Sequence, residues 1–241
     1  MIMKPTLLAA LLASIALSVT AAAAAGHDPW AGVPQAVRPP PGTPSIGGVW
    51  EMPQPIARLK TLDGKDPPLL PAAKAEYARR QAALKTDPSV DPISHCWMQG
   101  VPRLIYAPYP VLITQERDRI NFVHEVNHTF RIVSLTRPLP SDPDLDPAWL
   151  GYSAGHWQGK TLVIDTIGMN DKTWLDYSGL PHSEKLKVQE RYTLKSPDRI
   201  EGTVTITDPL TFSAPWTTGF ALVRKPNYDL KESVCVRDHR M

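Results

Sequence analysis

The run His124-Glu125-Val126-Asn127-His128 decides the fold, because its meaning changes with the backbone that carries it. On a helix, H-E-x-x-H sets two histidines on one zinc with the glutamate as general base, the arrangement of a metalloprotease. On a strand, four steps part the two Cα atoms by about 13 Å, against about 6 Å on a helix, whereas two nitrogens on one zinc lie within roughly 4 Å. The flanks favour a strand. Ile120, Phe122, Val126, Phe130 and Ile132 alternate on one face with His124 and His128 among them, and Glu116-Arg117-Asp118 has the composition of a hairpin turn. The expectation is one long strand, Arg119 to Val133, paired with Tyr109 to Gln115, with no metal and no other cofactor.

Strand signals continue on the C-terminal side. Tyr152 to Trp157 and Thr161 to Thr166 form a predicted hairpin turning at Gln158-Gly159-Lys160. Leu186 to Leu194 and Arg199 to Thr207 form another, turning at Ser196-Pro197-Asp198, and Trp216 to Arg224 adds a further strand. About seven antiparallel strands with short turns make a mainly β protein, a meander closed as a barrel or, alternatively, folded as a sandwich. One helix is predicted on the N-terminal side, residues 71–85. Pro71 suits its first turn, a run of alanines favours it, and Leu70, Tyr77 and Leu84 lie near one stripe.

Residues 1–25 read as a cleaved secretory signal. Lys4 precedes an apolar run from Leu7 to Val19, five alanines follow, and the chain turns polar at Gly26-His27-Asp28. A periplasmic or secreted protein is therefore expected, and no second long apolar run suggests membrane insertion. Residues 26–44 read as an extended, proline-rich arm, and 45–241 as a single β-rich domain. Fourteen of the chain's 26 prolines crowd into 34–44, 67–71, 88–92 and 138–147, which marks linkers rather than element interiors.

Cys96 and Cys235 are the only cysteines, and an exported protein favours a disulfide between them. In the loop-entropy picture so long a closed loop contributes about 4 to 5 kcal/mol. A catalytic cysteine beside His95 is the rival reading, but sequence neighbours on an extended chain point different ways. With 26 basic against 24 acidic side chains, no field points to nucleic acid or an anionic membrane. A small-molecule partner is expected; the sequence is silent on oligomeric state.

Two resemblances bear on architecture. Gly48-Val49-Trp50 resembles the G-x-W signature of the lipocalins and other calycin barrels, in which the tryptophan closes the floor beneath a basic residue of the last strand. Arg224 stands where that residue would be. The helix departs from the lipocalin order, since it precedes most strands. The block Gly151 to Thr166 (GYSAGHWQGKTLVIDT), with Gly179-Leu180-Pro181-His182-Ser183-Glu184, Glu190-Arg191, and Thr207-Asp208-Pro209 before Pro215-Trp216, is similar to a family of secreted bacterial β-rich proteins. That resemblance implies an exported β domain and brings no settled activity. It extends to Glu125 and Arg131, and Lys160 stands where an acidic residue is usual.

Site residues are sought among charges on apolar faces. Alternation places Leu186, Val188, Glu190, Tyr192 and Leu194 together, so Glu190 must be paired, hydrogen-bonded or protonated. A carboxylate so placed is a candidate acid or base, or one half of a buried ion pair. His182-Ser183-Glu184 enters the same strand, where His182 and Glu184 can exchange protons or merely brace a loop; adjacent residues do not make a Ser-His-Asp triad. Glu125 and Arg131 share the face opposite His124 and His128, and which face is interior is open. Glu190 is the expected partner of Arg131. Trp157, Trp174, Trp216, Tyr192 and His128 are the candidate ligand contacts. Asp142, Asp144 and Asp146 mimic a calcium loop but have Pro147 where glycine is needed and Ser153 where glutamate is needed.

Three functions fit. The first is cofactor-free acid/base chemistry (a lyase, isomerase or hydrolase) on a small apolar or aromatic molecule, with Glu190 as acid or base, His182 as shuttle and Arg131 stabilising negative charge. The second is a carrier of a lipophilic compound. The third is an envelope protein whose charges form only an ion-pair network.

Overall fold

A computed structural model describes residues 38–141 and 145–235. The expected signal, most of the arm, Asp142 and Asp144 lie outside the described residues. Nine strands close into one barrel in chain order: β1 (Gly48–Glu51), β2 (Val111–Gln115), β3 (Arg119–His124), β4 (Phe130–Ser134), β5 (Tyr152–Gln158), β6 (Thr161–Ile167), β7 (Lys187–Ser196), β8 (Arg199–Thr207) and β9 (Trp216–Arg224). The barrel alternative is therefore the correct one, and the sandwich is not formed. The expected all-antiparallel meander needs one correction: β4 and β5 run parallel, registered only at Val133↔Ser153 and Ser134↔Ala154. Parallel neighbours need a long return connection, and the proline-rich stretch 135–151 supplies it.

The opening motif is split between the end of a strand and a tight turn. The expected long strand 119–133 breaks into β3 and β4 around a 3-10 turn, Val126–His128, with Asn127 and His128 at φ 51° and 44°. Asparagine tolerates this left-handed region better than most residues. The five-residue turn also reverses the inward parity. Ile120, Phe122 and His124 face the interior on β3, and Arg131 and Val133 do so on β4, leaving Phe130 and Ile132 exposed.

Alternation fills the barrel from the remaining strands. Val188, Glu190 and Tyr192 point inward from β7, Ile200, Val204 and Ile206 from β8, and Trp216, Phe220 and Leu222 from β9. Phe220 lies edge-on to Tyr192 at 4.9 Å between ring centroids. Its cross-strand partner is Gly202, where any Cβ would run into the Phe220 ring, so only glycine fits.

β1 pairs with both β2 and β9 and closes the ring. Fully buried Trp50 donates its indole N–H to the Ile46 carbonyl at 2.8 Å. The Arg224 guanidinium stacks 4.3 Å from the Trp50 ring and donates from Nη1 to the Gly47 carbonyl at 3.0 Å. Gly48, at φ 128°, leaves the space that Arg224 occupies.

One α-helix is found among the described residues, α1 (Pro71–Thr86), one residue longer than expected. Tyr77 is its single buried residue, and it meets Ser178 at 2.5 Å, while Arg80 stacks on Trp174. Short 3-10 turns follow at Pro88–Val90, Pro92–His95 and Arg103–Tyr106, the first two capped by Asp87 and Asp91. Cys96 and Cys235 form the expected disulfide, with Cα atoms 5.5 Å apart.

Candidate functional site

Four consecutive strands contribute to one polar cluster inside the barrel. Arg131 of β4 donates to both oxygens of Glu190 of β7, from Nη1 to Oε2 at 3.0 Å and from Nη2 to Oε1 at 2.7 Å. Its Nε donates to Ser153 of β5 at 3.1 Å, and Nη2 also donates to Thr166 of β6 at 2.6 Å. Glu190 is completely buried and Arg131 nearly so. The Tyr192 hydroxyl donates to Glu190 Oε2 at 2.8 Å. The pairing anticipated between Arg131 and Glu190 is thus present, and it is bidentate, the geometry in which a guanidinium best compensates a desolvated carboxylate. Burial opposes the Arg131 charge, but Glu190 more than offsets this and the net shift is upward. Burial, then the Glu190 charge, pushes the Tyr192 hydroxyl far above the ordinary phenol range.

A cavity of about 20 Å³ opens from this cluster toward Glu51 and Tyr109. Its walls are apolar (Met52, Leu104, Phe122 and Leu222 among them), and the inward polar groups on it are His124, Arg131 and Tyr192. Space of that size holds roughly one water molecule. Glu190 does not line it. Both its oxygens are turned to Arg131 and Tyr192, so it orients the groups that face the cavity instead of facing it. Burial, reinforced by the Arg131 charge, lowers the His124 pKa from 6.5 to about 3, which keeps the imidazole neutral near pH 7.

His124 is the residue that sequence reasoning missed. Its spacing puts it on the apolar face with Ile120 and Phe122 but not among the candidate site residues, because in the sequence which face is interior is open. The signal was present in the phase of Ile120, Phe122 and His124, once β3 is ended at 124.

The other expected site residues go elsewhere. Glu125, nearly buried, accepts from the Tyr228 hydroxyl at 2.8 Å and the Lys231 amide at 2.9 Å. His128 is exposed and accepts from the Ser233 amide at 3.4 Å. The two histidines of the motif therefore serve opposite sides of the wall, one the interior and one the C-terminal tail.

His182 does not join the barrel cluster. It is buried in the loop before β7, with Nε2 2.9 Å from the Thr173 hydroxyl, and burial lowers its pKa. Ser183 donates its amide and hydroxyl to Asp208 at 2.6 and 2.7 Å, and Glu184 is exposed. The same loop is held by Asp176, which accepts from the amides of Leu59, Ser178 and Leu180. These carboxylates brace loops.

The three tryptophans expected to offer stacking surface do not reach the cavity. Trp174 lies between Arg80 and Arg103, Trp216 packs on Phe212 at 5.4 Å, and Trp157 packs against the core. Tyr192 alone of the expected ligand contacts lines it. Among the described residues no helix is long and apolar enough to cross a membrane. No family model, curated protein or solved structure matches this chain.

Proposed function

We propose that the barrel is an exported binding protein for a small, electrically neutral apolar or aromatic molecule carrying one hydrogen-bonding group. The observation that carries this is the cavity's lining, in which apolar walls meet a floor of three polar side chains, His124, Arg131 and Tyr192. Charge bookkeeping sets the ligand class. Arg131 is neutralised by Glu190, Glu51 at the rim by Lys225 at 2.5 Å, and His124 is uncharged. A charged ligand would lose its hydration without finding an unpaired counter-charge, whereas a carbonyl or hydroxyl can use the guanidinium edge and the imidazole. Entry requires part of the cavity wall to move aside, because the resting space is only water-sized.

Export is supported by the disulfide, which persists in oxidising compartments, and by the leader-like first 25 residues. The Trp50–Arg224 stack at the β1–β9 closure supports a calycin-type barrel.

Titration with N-phenyl-1-naphthylamine, a neutral aromatic fluorophore, tests the site. Saturable binding to the native protein is expected, weakened about tenfold or more by Ala107→Phe, which fills the cavity. Equal binding by the variant, or none by the native protein, would overturn the assignment.

One observation favours a second reading, acid/base turnover of the ligand: the His124 imidazole and the Tyr192 hydroxyl, which donates its proton to Glu190 in a hydrogen bond, border the same cavity that Arg131 lines. Glu190 is then a positioning residue rather than the acid or base itself. Tyr192→Phe separates the readings, since a binder keeps its affinity and an enzyme loses conversion at unchanged affinity.

A further inference from the structure

The segment after β9 is fastened through five of its residues. The Lys225 amide donates to the Val49 carbonyl at 2.9 Å, and its ammonium to Glu51 at 2.5 Å. Glu125 holds Tyr228 and Lys231, His128 holds Ser233, and Cys235 is bonded to Cys96. One of these anchors, Glu51, lines the cavity described above, and another, Glu125, adjoins His124, which also lines it. Beneath the segment lies an open groove of about 440 Å³, lined by His124, Glu125, His128, Phe130, Leu230 and Lys231. His124 also lines the inner cavity, so one residue of the barrel wall borders both the groove and the interior.

We infer, building on the small-molecule site proposed above, that residues 225–235 are a disulfide-latched strap that controls ligand access past His124. Without the latch, the strap is held by hydrogen bonds and one ion pair that water competes for. With it, the strap's free end cannot leave, and its effective concentration at the rim stays high. Both cysteines are half-buried, within reach of a small reductant. A dithiol supplies the two electrons: one of its thiolates attacks a sulfur of the Cys96–Cys235 bond, that bond breaks, the dithiol closes to its own disulfide, and each protein sulfur takes up a proton. The strap is then free to swing from Glu125, and the wall at His124 opens to solvent. The inner cavity's water-sized resting volume is the closed state of this gate.

Stopped-flow mixing of the full protein with N-phenyl-1-naphthylamine, before and after dithiothreitol, tests the gate, with hydrogen exchange at residues 125–129 and 228–233 recorded in parallel. Reduction is expected to speed association about tenfold while leaving the barrel strands protected. Glu125→Gln with Tyr228→Phe, which loosens the strap with the disulfide intact, is expected to give a smaller acceleration. Faster exchange in the strap with an unchanged association rate would overturn the gate and leave the binding site standing. No association in either redox state would overturn the small-molecule site and the gate with it. Global loss of protection on reduction would also overturn the gate, by making the bridge a stabiliser of the whole fold.

Discussion

Two of the regions that bury carboxylates do so by different means. In the barrel interior Glu190 is satisfied by another charge, Arg131, and by the Tyr192 hydroxyl. In the loops around 170–186, Asp176 and Asp208 are satisfied by amides and hydroxyls of their own neighbourhood, with no cation bound to either. The first arrangement places a guanidinium, a phenol and an imidazole against an opening; the second fixes chain direction. Burial alone therefore does not mark a site. What separates the regions is whether the partners of the buried charge face free space.

The largest effect that would break this contrast is at Glu190. Glu190→Leu leaves Arg131 buried without its partner and should cost about 3 to 5 kcal/mol in urea unfolding, whereas Glu190→Leu combined with Arg131→Met should cost clearly less than either single change. Additivity of the two would mean that the pair is not a unit. Asp176→Ala removes three amide partners from a fully buried carboxylate and should cost about 2 to 3 kcal/mol, with no second change able to rescue it.

Acid separates the two histidines next. The unfolded chain binds a proton at His124 near pH 6.5 and the folded chain only near 3, so stability is complete above about 6.5 and falls as pH drops, by about 1.4 kcal/mol per unit. His182 is shifted in the same direction, opposed by its bond to the Ser183 carbonyl. Chemical denaturation from pH 7 to 4 should show His124→Gln flattening the acid limb more than His182→Gln; the reverse ranking would move the important titration to the loop. The smallest effect is at exposed Glu184, where Glu184→Gln should change stability by less than about 0.5 kcal/mol and leave probe binding untouched.

Where alternation ran unbroken, the chain was legible. Val188, Glu190 and Tyr192 fall on one face of β7 as their spacing requires, and Glu190 finds Arg131 there. The strand Trp216–Arg224 has the bounds its pattern implies. The stretch 119–133 misled because its apolar residues keep even spacing straight through the turn. Phe122 and Phe130 are in phase in the sequence, yet one is buried and the other exposed. Only Asn127, able to adopt a left-handed backbone, signals the break. The convergence imagined between His182 and Glu190 failed for a different reason: a residue just before a strand shares that strand's sequence neighbourhood, not the direction of its interior face. His182 turns to Thr173 instead. Long-range placement of the tail on Glu125 had no local sequence signal beyond the cysteine pair.

The junction of β4 and β5 has a mechanical consequence. A closed barrel resists bursting like the hoop of a cask, and its strength is that of its weakest stave joint. The β4–β5 joint has two registered pairs, as few as the β1–β9 joint and against seven between β5 and β6. Arg131 reaches across it from β4 to Ser153, Thr166 and Glu190, acting as a rivet driven from the inside. Under tension the ring should part at one of these two short joints, and loss of the rivet would fix the break at β4–β5.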